Sequence, residues 1–235
     1  MNKNIVIKIG GSLLFSEGKT INSKRITEFC NIVKNNKEYD SIVIVCGGGI
    51  IAREYIDVIR DFTQNEALCD LIGIDISRIN SRLIISNLKE FAYPQVPKSI
   101  EELSIAILTH KIVVMGGLQL GQSTTSVAIE VAEYINANKL IILTDVEGIF
   151  DKDPKLFKDA KLIKNLSYDK LRDIILHSSG DKQAAAGEYR IFDAVSLQIL
   201  KRSKITIMVI SGKKLIQFKK FWDNEKEIIG TTISN

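Results

Sequence analysis

Three short apolar runs in this chain break off at glycine. Ile5-Val6-Ile7-Lys8-Ile9 runs into Gly10-Gly11-Ser12, Ser41–Cys46 into Gly47-Gly48-Gly49, and residues 111–115 into Gly116-Gly117. Runs of this length, apolar at nearly every position, read as strands covered on both faces, and the segments between them have helical length and amphipathic spacing. Such alternation specifies an α/β protein with a mainly parallel sheet, because parallel neighbours need a crossover between them.

The pattern holds through most of the chain. Strands are expected at Asn4–Ile9, Ser41–Cys46, 111–115, 139–143 and 206–210, and helices at 23–35, 50–62, Glu66–Leu88, 100–108, 124–136, 168–176, 193–202 and 213–222. The polar segment 144–164 reads as a loop or hairpin, and 228–233 as a β-prone tail. No repeat, low-complexity tract or linker interrupts the 235 residues, so one domain over 1–235 is expected.

Composition narrows the function classes. With 45% hydrophobic and 26% charged residues and no apolar stretch of about 18 residues, no membrane association is expected. The opening MNKNIVIKIGG lacks a leader-like apolar segment, which predicts a cytoplasmic protein. Cys30, Cys46 and Cys69 lie far apart without metal-ligand spacing and read as buried apolar residues. A net charge of +4 with mixed signs argues against a nucleic-acid partner, while small anions suit it well.

Ligands of open α/β sheets bind beyond the carboxyl ends of the strands, and glycine there lets backbone amides approach an anion. One glycine turn means little, since tight connections need glycine for packing alone. Three in succession, with Gly121-Gln122-Ser123-Thr124 beyond the third, point to several phosphates. Neither GxxxxGK[ST] nor GxGxxG occurs, so the phosphates would be held without a P-loop. Phosphoryl transfer needs positive charge and positioning. Lys8 interrupts its apolar run beside the first glycine turn, where an ammonium needs an anion unless it snorkels to solvent. Arg53 lies about one helical turn after Gly49, placed either to reach back to the loop or to face solvent. Asp70, Arg78 and Arg82 share one broad face of a long helix. Asp145 and Asp153 follow a strand end, and Asp193 would serve as a helix N-cap on local grounds alone. His110 and His177 sit in no triad-like or metal-like setting.

Lys8-Ile9-Gly10-Gly11-Ser12, Gly47-Gly48-Gly49 and Thr144-Asp145-Val146-Glu147-Gly148-Ile149, in that order, resemble the amino acid kinase superfamily over nearly the whole chain. Within it, Gly47 to Ile56, Asp70-Leu71-Ile72-Gly73-Ile74, Ser77-Arg78-Ile79-Asn80, Gly121-Gln122-Ser123-Thr124, Phe150-Asp151-Lys152-Asp153-Pro154 and Gly230-Thr231-Thr232-Ile233 are similar to the archaeal-type UMP kinases. The resemblance implies a three-layer αβα sandwich and a phosphotransferase acting on a phosphate acceptor: ATP and UMP give ADP and UDP in pyrimidine nucleotide biosynthesis, with Mg2+ carried by the ATP phosphates. Carried over by position, Gly11, Ser12, Gly49, Arg53, Thr144, Asp145, Phe150 and Asp153 fall on the ATP side. Gly48, Asp70, Leu118, Gln119, Leu120, Gly121, Gln122, Ser123 and Thr124 fall on the UMP side, with the N-terminal part of the domain carrying the acceptor and the C-terminal part ATP. Lys8 would offset charge on the transferring phosphoryl group, and Asp193 would order the lysines and Mg2+ around it. Where relatives have Thr-Asn-Val-Asp-Gly-Val-Tyr, this chain has Thr144-Asp145-Val146-Glu147-Gly148-Ile149-Phe150. Phe150 keeps a ring for adenine without the hydroxyl, and Asp145 resembles the aspartate of acetylglutamate kinases, which leaves the catalytic carboxylate open between Asp145 and Asp193.

The family implies a homohexamer, a trimer of dimers. Isopentenyl phosphate kinases share the chemistry but place a histidine soon after the triple glycine, and residues 50–59 contain none. A nucleotide-binding protein without turnover is the rival from another class.

Overall fold

The computed structural model describes residues 3–16, 18–152, 154, 157–179, 191–223 and 227–235. Strands β1 (Asn4–Ile9), β2 (Ser41–Cys46), β3 (Ile112–Met115), β4 (Lys139–Thr144), β5 (Asn165–Ser167), β6 (Ile207–Ser211) and β7 (Thr231–Ser234) form one sheet in the order β3-β2-β1-β4-β6-β7-β5. Every neighbouring pair is parallel except β6 and β7. The helices are α1 (Ser23–Lys34), α2 (Gly49–Thr63), α3 (Glu66–Leu88), α4 (Ile100–Thr109), α5 (Thr124–Tyr134), α6 (Tyr168–Ser179), α7 (Ala194–Ser203) and α8 (Ile216–Trp222).

Because side chains alternate along a strand, the apolar runs feed two cores at once. Ile5, Ile7, Ile9, Ile42, Ile44, Ile141 and Leu143 meet Phe29 of α1, Ile84 and Leu88 of α3, and Phe218 of α8 on one face. Val6, Val43, Val45, Val113, Leu140 and Ile142 meet Leu103 of α4, Val127 and Val131 of α5, Leu171 of α6 and Leu200 of α7 on the other. The result is the expected three-layer αβα sandwich.

Two details differ from the sequence pattern, and a third settles an alternative it left open. The short edge strand β5 follows the polar segment and pairs with β7. Its sequence Asn-Leu-Ser has a single apolar residue, so pairing rather than propensity makes it a strand. Helix α8 begins at Ile216, after the turn in which the Ser211 hydroxyl accepts the Lys213 amide at 3.4 Å. The segment 144–164 closes as a hairpin, with Phe150 bridging Leu162 and the Ile163 amide donating to the Ile149 carbonyl at 2.8 Å.

The sheet brings the strand ends together. Gly10 donates to the Leu143 carbonyl at 2.9 Å, Gly47 to the Ile9 carbonyl at 2.9 Å, and Gly212 to the Thr144 carbonyl at 2.7 Å, so the ladder continues one residue into each loop. Beyond that point the first two loops touch backbone to backbone. A methyl group on Gly11 would run into the Gly47 carbonyl and the Gly49 nitrogen, and one on Gly49, whose φ is +73°, would meet the Ser12 nitrogen at 2.7 Å. Gly11→Ala should therefore destabilise by about 1–3 kcal/mol through overpacking and weaken nucleotide binding. Gly18→Ala is the control, since the added atom would meet only the Ser16 hydroxyl at 4.0 Å. Thermal unfolding with and without ATP measures both, and equal behaviour of the two variants would refute the close-contact explanation.

Candidate active site

Lys8 lies one residue before the end of β1, in register with Val45 of β2 and Ile142 of β4. Its side chain leaves the sheet on the face of Val6, among apolar neighbours, and is half-buried. Among the described residues its ammonium makes no hydrogen bond and no ion pair. Burial draws its pKa down from 10.5 to about 8, opposed chiefly by the negative charge of Asp145. Asp145 follows directly on β4, and the Thr144 hydroxyl donates to its Oδ1 at 3.4 Å. Thr144 itself is buried at the strand end.

Helix α3 runs beneath the glycine loops and holds them from one side. Asn80, almost fully buried, donates through Nδ2 to the carbonyls of Gly47 (2.8 Å) and Gly48 (3.1 Å). With those carbonyls drawn toward α3, Gly49 opens α2. The Ser77 hydroxyl accepts the Gly117 amide at 2.7 Å and donates to the Ile74 carbonyl at 2.6 Å. Arg78 donates from Nε to the Gly117 carbonyl at 3.1 Å and from Nη2 to the Leu118 carbonyl at 3.4 Å. Asp70, one helical stretch earlier, accepts the Gly121 amide on Oδ2 at 2.7 Å. The loop 117–121 is thus tied to α3 at both ends by polar groups.

The same loop continues into α5, whose N-cap Ser123 accepts the Ser126 amide at 3.1 Å. Thr124 lies beside the second glycine loop: a methyl on Gly47 would meet its hydroxyl at 3.4 Å. Asp193 caps α7 and is 5% exposed. Its Oδ1 accepts the Ser126 hydroxyl (2.6 Å), the Ser196 amide (2.7 Å) and the Ser196 hydroxyl (2.8 Å), and its Oδ2 accepts the Ser123 amide (3.2 Å). Burial by itself would raise the Asp193 pKa, but these hydrogen bonds from Ser123, Ser126 and Ser196 outweigh it and hold the carboxyl below 3.8.

On the far side of β4, Phe150 is half-buried in its hairpin. The buried Thr231 hydroxyl organises that hairpin, accepting the Ile149 amide at 2.8 Å and donating to the Ile163 carbonyl at 2.7 Å. Arg53 is half-buried on α2 and makes no hydrogen bond or ion pair among the described residues. Asp153 and the side chain of His177 lie outside the described residues. His110 bonds to the Thr109 hydroxyl at 2.9 Å and packs edge-on against Tyr93.

The structure therefore joins Lys8 with Asp145, Gly11 and Ser12 with Gly49, Asp70 with Gly121, and Ser123 with Asp193. It gives Phe150 no hydrogen bond to the other candidates. Sequence reasoning passed over Ser126 and Ser196, quoted Ser77, Asn80 and Thr231 only within motifs without giving them a role, and gave Arg78 no task beyond a polar face. One signal was available: Ser77, Asn80 and Ser81 share the helical phase of the apolar Ile84 and Leu88, so they point into the core.

The whole chain is similar to known proteins in sequence and in fold. The amino acid kinase family model matches residues 3–211. The uridylate kinase of Methanobrevibacter smithii is 42% identical, covering 88% of this chain and 89% of the relative. That of Sulfolobus acidocaldarius is 36% identical over 97% of this chain and 98% of its own length. The crystal structure of uridylate kinase from Archaeoglobus fulgidus superposes with a TM-score of 0.81 at 32% identity, covering 98% of this chain and 99% of that one. With the family model matching residues 3–211 and relatives of 36–42% identity covering most of its length, the chain belongs to the amino acid kinase family.

Proposed function

We propose that this protein is a UMP kinase, a phosphotransferase that moves the γ-phosphoryl group of ATP onto the phosphate of UMP. The observation that carries the reading is an ammonium, Lys8, set among apolar side chains one residue before the strand end that leads into the Gly10–Ser12 turn, with no partner in bonding range among the described residues. A cation so placed is stabilised by an anionic ligand. Two separate loop systems flank it: the Gly11/Gly49 contact with the hairpin of Phe150, and the α3-tethered loop 117–124. Two nucleotides meeting phosphate to phosphate fit that division. The uridylate kinase relatives over nearly the full length supply the acceptor.

In this reading ATP enters as its Mg2+ complex. Among the described residues no cluster of three His, Cys, Asp or Glu side chains is arranged to hold a metal unaided, and Asp145 beside Lys8 is the carboxylate positioned toward the phosphates' cation. Lys8 offsets the charge that spreads over the phosphoryl oxygens in the transition state, where fixed charge in a water-poor site is most effective. Gly11, Ser12, Gly49, Arg53, Thr144, Phe150 and Asp153 serve ATP, with the Phe150 ring against adenine. Gly48, Asp70 and residues 118–124 serve UMP. Among the described residues no helix is long and apolar enough to cross a membrane. A single cytoplasmic domain assembling as a homohexamer completes the proposal.

A coupled assay of ADP release with UMP, CMP, isopentenyl phosphate and acetylglutamate tests the acceptor. UMP should give the highest kcat/KM, and preference for any other acceptor refutes the assignment. Asp70→Ala should raise the UMP KM about 10-fold or more with the ATP KM little changed, since it loosens Gly121 and any ribose contact.

Lys8 sets a pH dependence. With its pKa near 8, kcat/KM for ATP should be flat near neutrality and fall above about pH 8 as the ammonium loses its proton. Lys8→Arg, which stays charged, should lose kcat but also lose that limb; its survival would assign the limb to another group. The stability sign is opposite to the usual lysine case. The folded pKa is depressed, so between about 8 and 10.5 the unfolded chain holds more protons and stability rises with pH through that window. Lys8→Met should be inactive yet more stable, with its advantage greatest below pH 8 and shrinking toward pH 10, read by denaturant titration across pH.

A further inference from the structure

We infer that Ser126 and Ser196 are positioning residues for the acceptor phosphate, and that Asp193 acts through them as a latch between two helix N-termini. The inference rests on the acceptor reading above and adds a mechanism to it.

A carboxylate has about four lone-pair positions. Among the described residues three donors converge on Oδ1 of Asp193, the hydroxyls of Ser126 and Ser196 and the Ser196 amide at 2.6, 2.8 and 2.7 Å, and one, the Ser123 amide, reaches Oδ2 at 3.2 Å. The group is 5% exposed, and its own helix needs only one of those bonds, the one from the Ser196 amide that caps α7. The other two contributors come from α5. Ser126 is fully buried, as is Ser196, and their hydroxyls stand 2.9 Å apart. A buried hydroxyl pair costs free energy unless it is fully bonded, so its presence at the junction calls for a function of the junction.

That function follows from which amides are taken and which are left. At the start of α5, the Ser123 amide goes to Asp193 and the Ser126 amide to the Ser123 hydroxyl. The amides of Thr124 and Thr125 have no protein acceptor among the described residues, as the first turn of any helix leaves them. They open toward the loop end nearest Gly47, where Thr124 already lies. An anion accepting from them gains from the helix dipole as well. By anchoring Ser123 on one side and Ser126 one turn later, the Asp193 cluster fixes the direction in which those two free amides point. It sets acceptor placement without touching the acceptor.

Ser126→Ala, Ser196→Ala and Asp193→Asn separate this from a chemical role. Asn keeps the shape of Asp193 but puts an amide donor where a proton acceptor is required. Steady-state kinetics with UMP varied at saturating ATP, and ATP varied at saturating UMP, should show the UMP KM raised about 3–10-fold in each serine variant, the size of one ordinary hydrogen bond's net contribution. Asp193→Asn should raise it further, and in all three the ATP KM and kcat should change by no more than about threefold. An unchanged UMP KM in both serine variants overturns the latch. So does a kcat loss of about 100-fold or more in Asp193→Asn with the UMP KM intact, because that pattern belongs to a group acting in the transition state. Should Asp193→Asn not fold, judged by its thermal melt, the two serine variants decide alone. Turnover of UMP by the unsubstituted chain is measured first. Its absence strikes the acceptor assignment, whereas the latch is judged by the shift in acceptor KM between variants on whichever acceptor of the panel is phosphorylated.

Discussion

A positive charge at the end of a strand that is otherwise buried on both faces is the constraint around which this molecule is organised. Val6, Val45 and Ile142 share the sheet face of Lys8 and are fully buried, so the ammonium carries a solvation cost that no protein partner among the described residues offsets. Such a site is stabilised by what it binds, and a residue that lowers stability while creating a binding field is what a functional position looks like energetically. The glycine turns on either side are the complement of that charge. With Gly11 and Gly49 in backbone contact there is no room for a side chain between the loops, which leaves amides as the groups that face a ligand.

The electrostatics of the two aspartates are opposite in kind. Asp145 acts on Lys8 through space and keeps part of the ammonium's proton affinity against burial. Asp193 spends its charge on four hydrogen bonds inside the protein, and those bonds hold it ionised despite burial. Asp193 is held chiefly through Oδ1, while Asp145 lies close enough to Lys8 to raise its proton affinity, so the two carboxylates do different electrostatic work.

The layers were legible in the sequence because a doubly buried strand carries its own signature. Ser41–Cys46 and Lys139–Thr144 contain no alternation to misread, and a strand end followed by glycine marks where ligands enter. β5 was not legible, since Asn165–Ser167 becomes a strand only by pairing with a segment about 65 residues later. Within the site, residues whose chemistry is unusual for their place were found: a lysine in an apolar run, glycines in series. Residues that work by being buried were not. Ser126, Ser196 and Thr231 look like ordinary surface residues until tertiary packing encloses them, and no local rule distinguishes a hydroxyl that will cap, latch or face water. Asn80 and Ser77 were recoverable from helix phase, but a long helix with polar residues on several faces offers the eye an exposed polar face first.

Helix α3 couples the two loop systems. Asn80 grips the second glycine loop through Gly47 and Gly48, while Arg78, Ser77 and Asp70 grip the 117–121 loop through Leu118, Gly117 and Gly121. Asp70 and Asn80 stand ten residues apart on one continuous helix, about 15 Å along its axis. A rod of this kind fixes the distance between the loops independently of either ligand, and displacement of reacting groups by about 1 Å is enough to cost a large factor in rate. Asp193 then fixes the direction of α5 at the opposite end of the acceptor loop. In the proposed reading, separation set by α3 and orientation set by the serine-aspartate cluster are two of the three conditions for in-line transfer, and the third, charge compensation, would fall to Lys8 and the cation arriving with the donor.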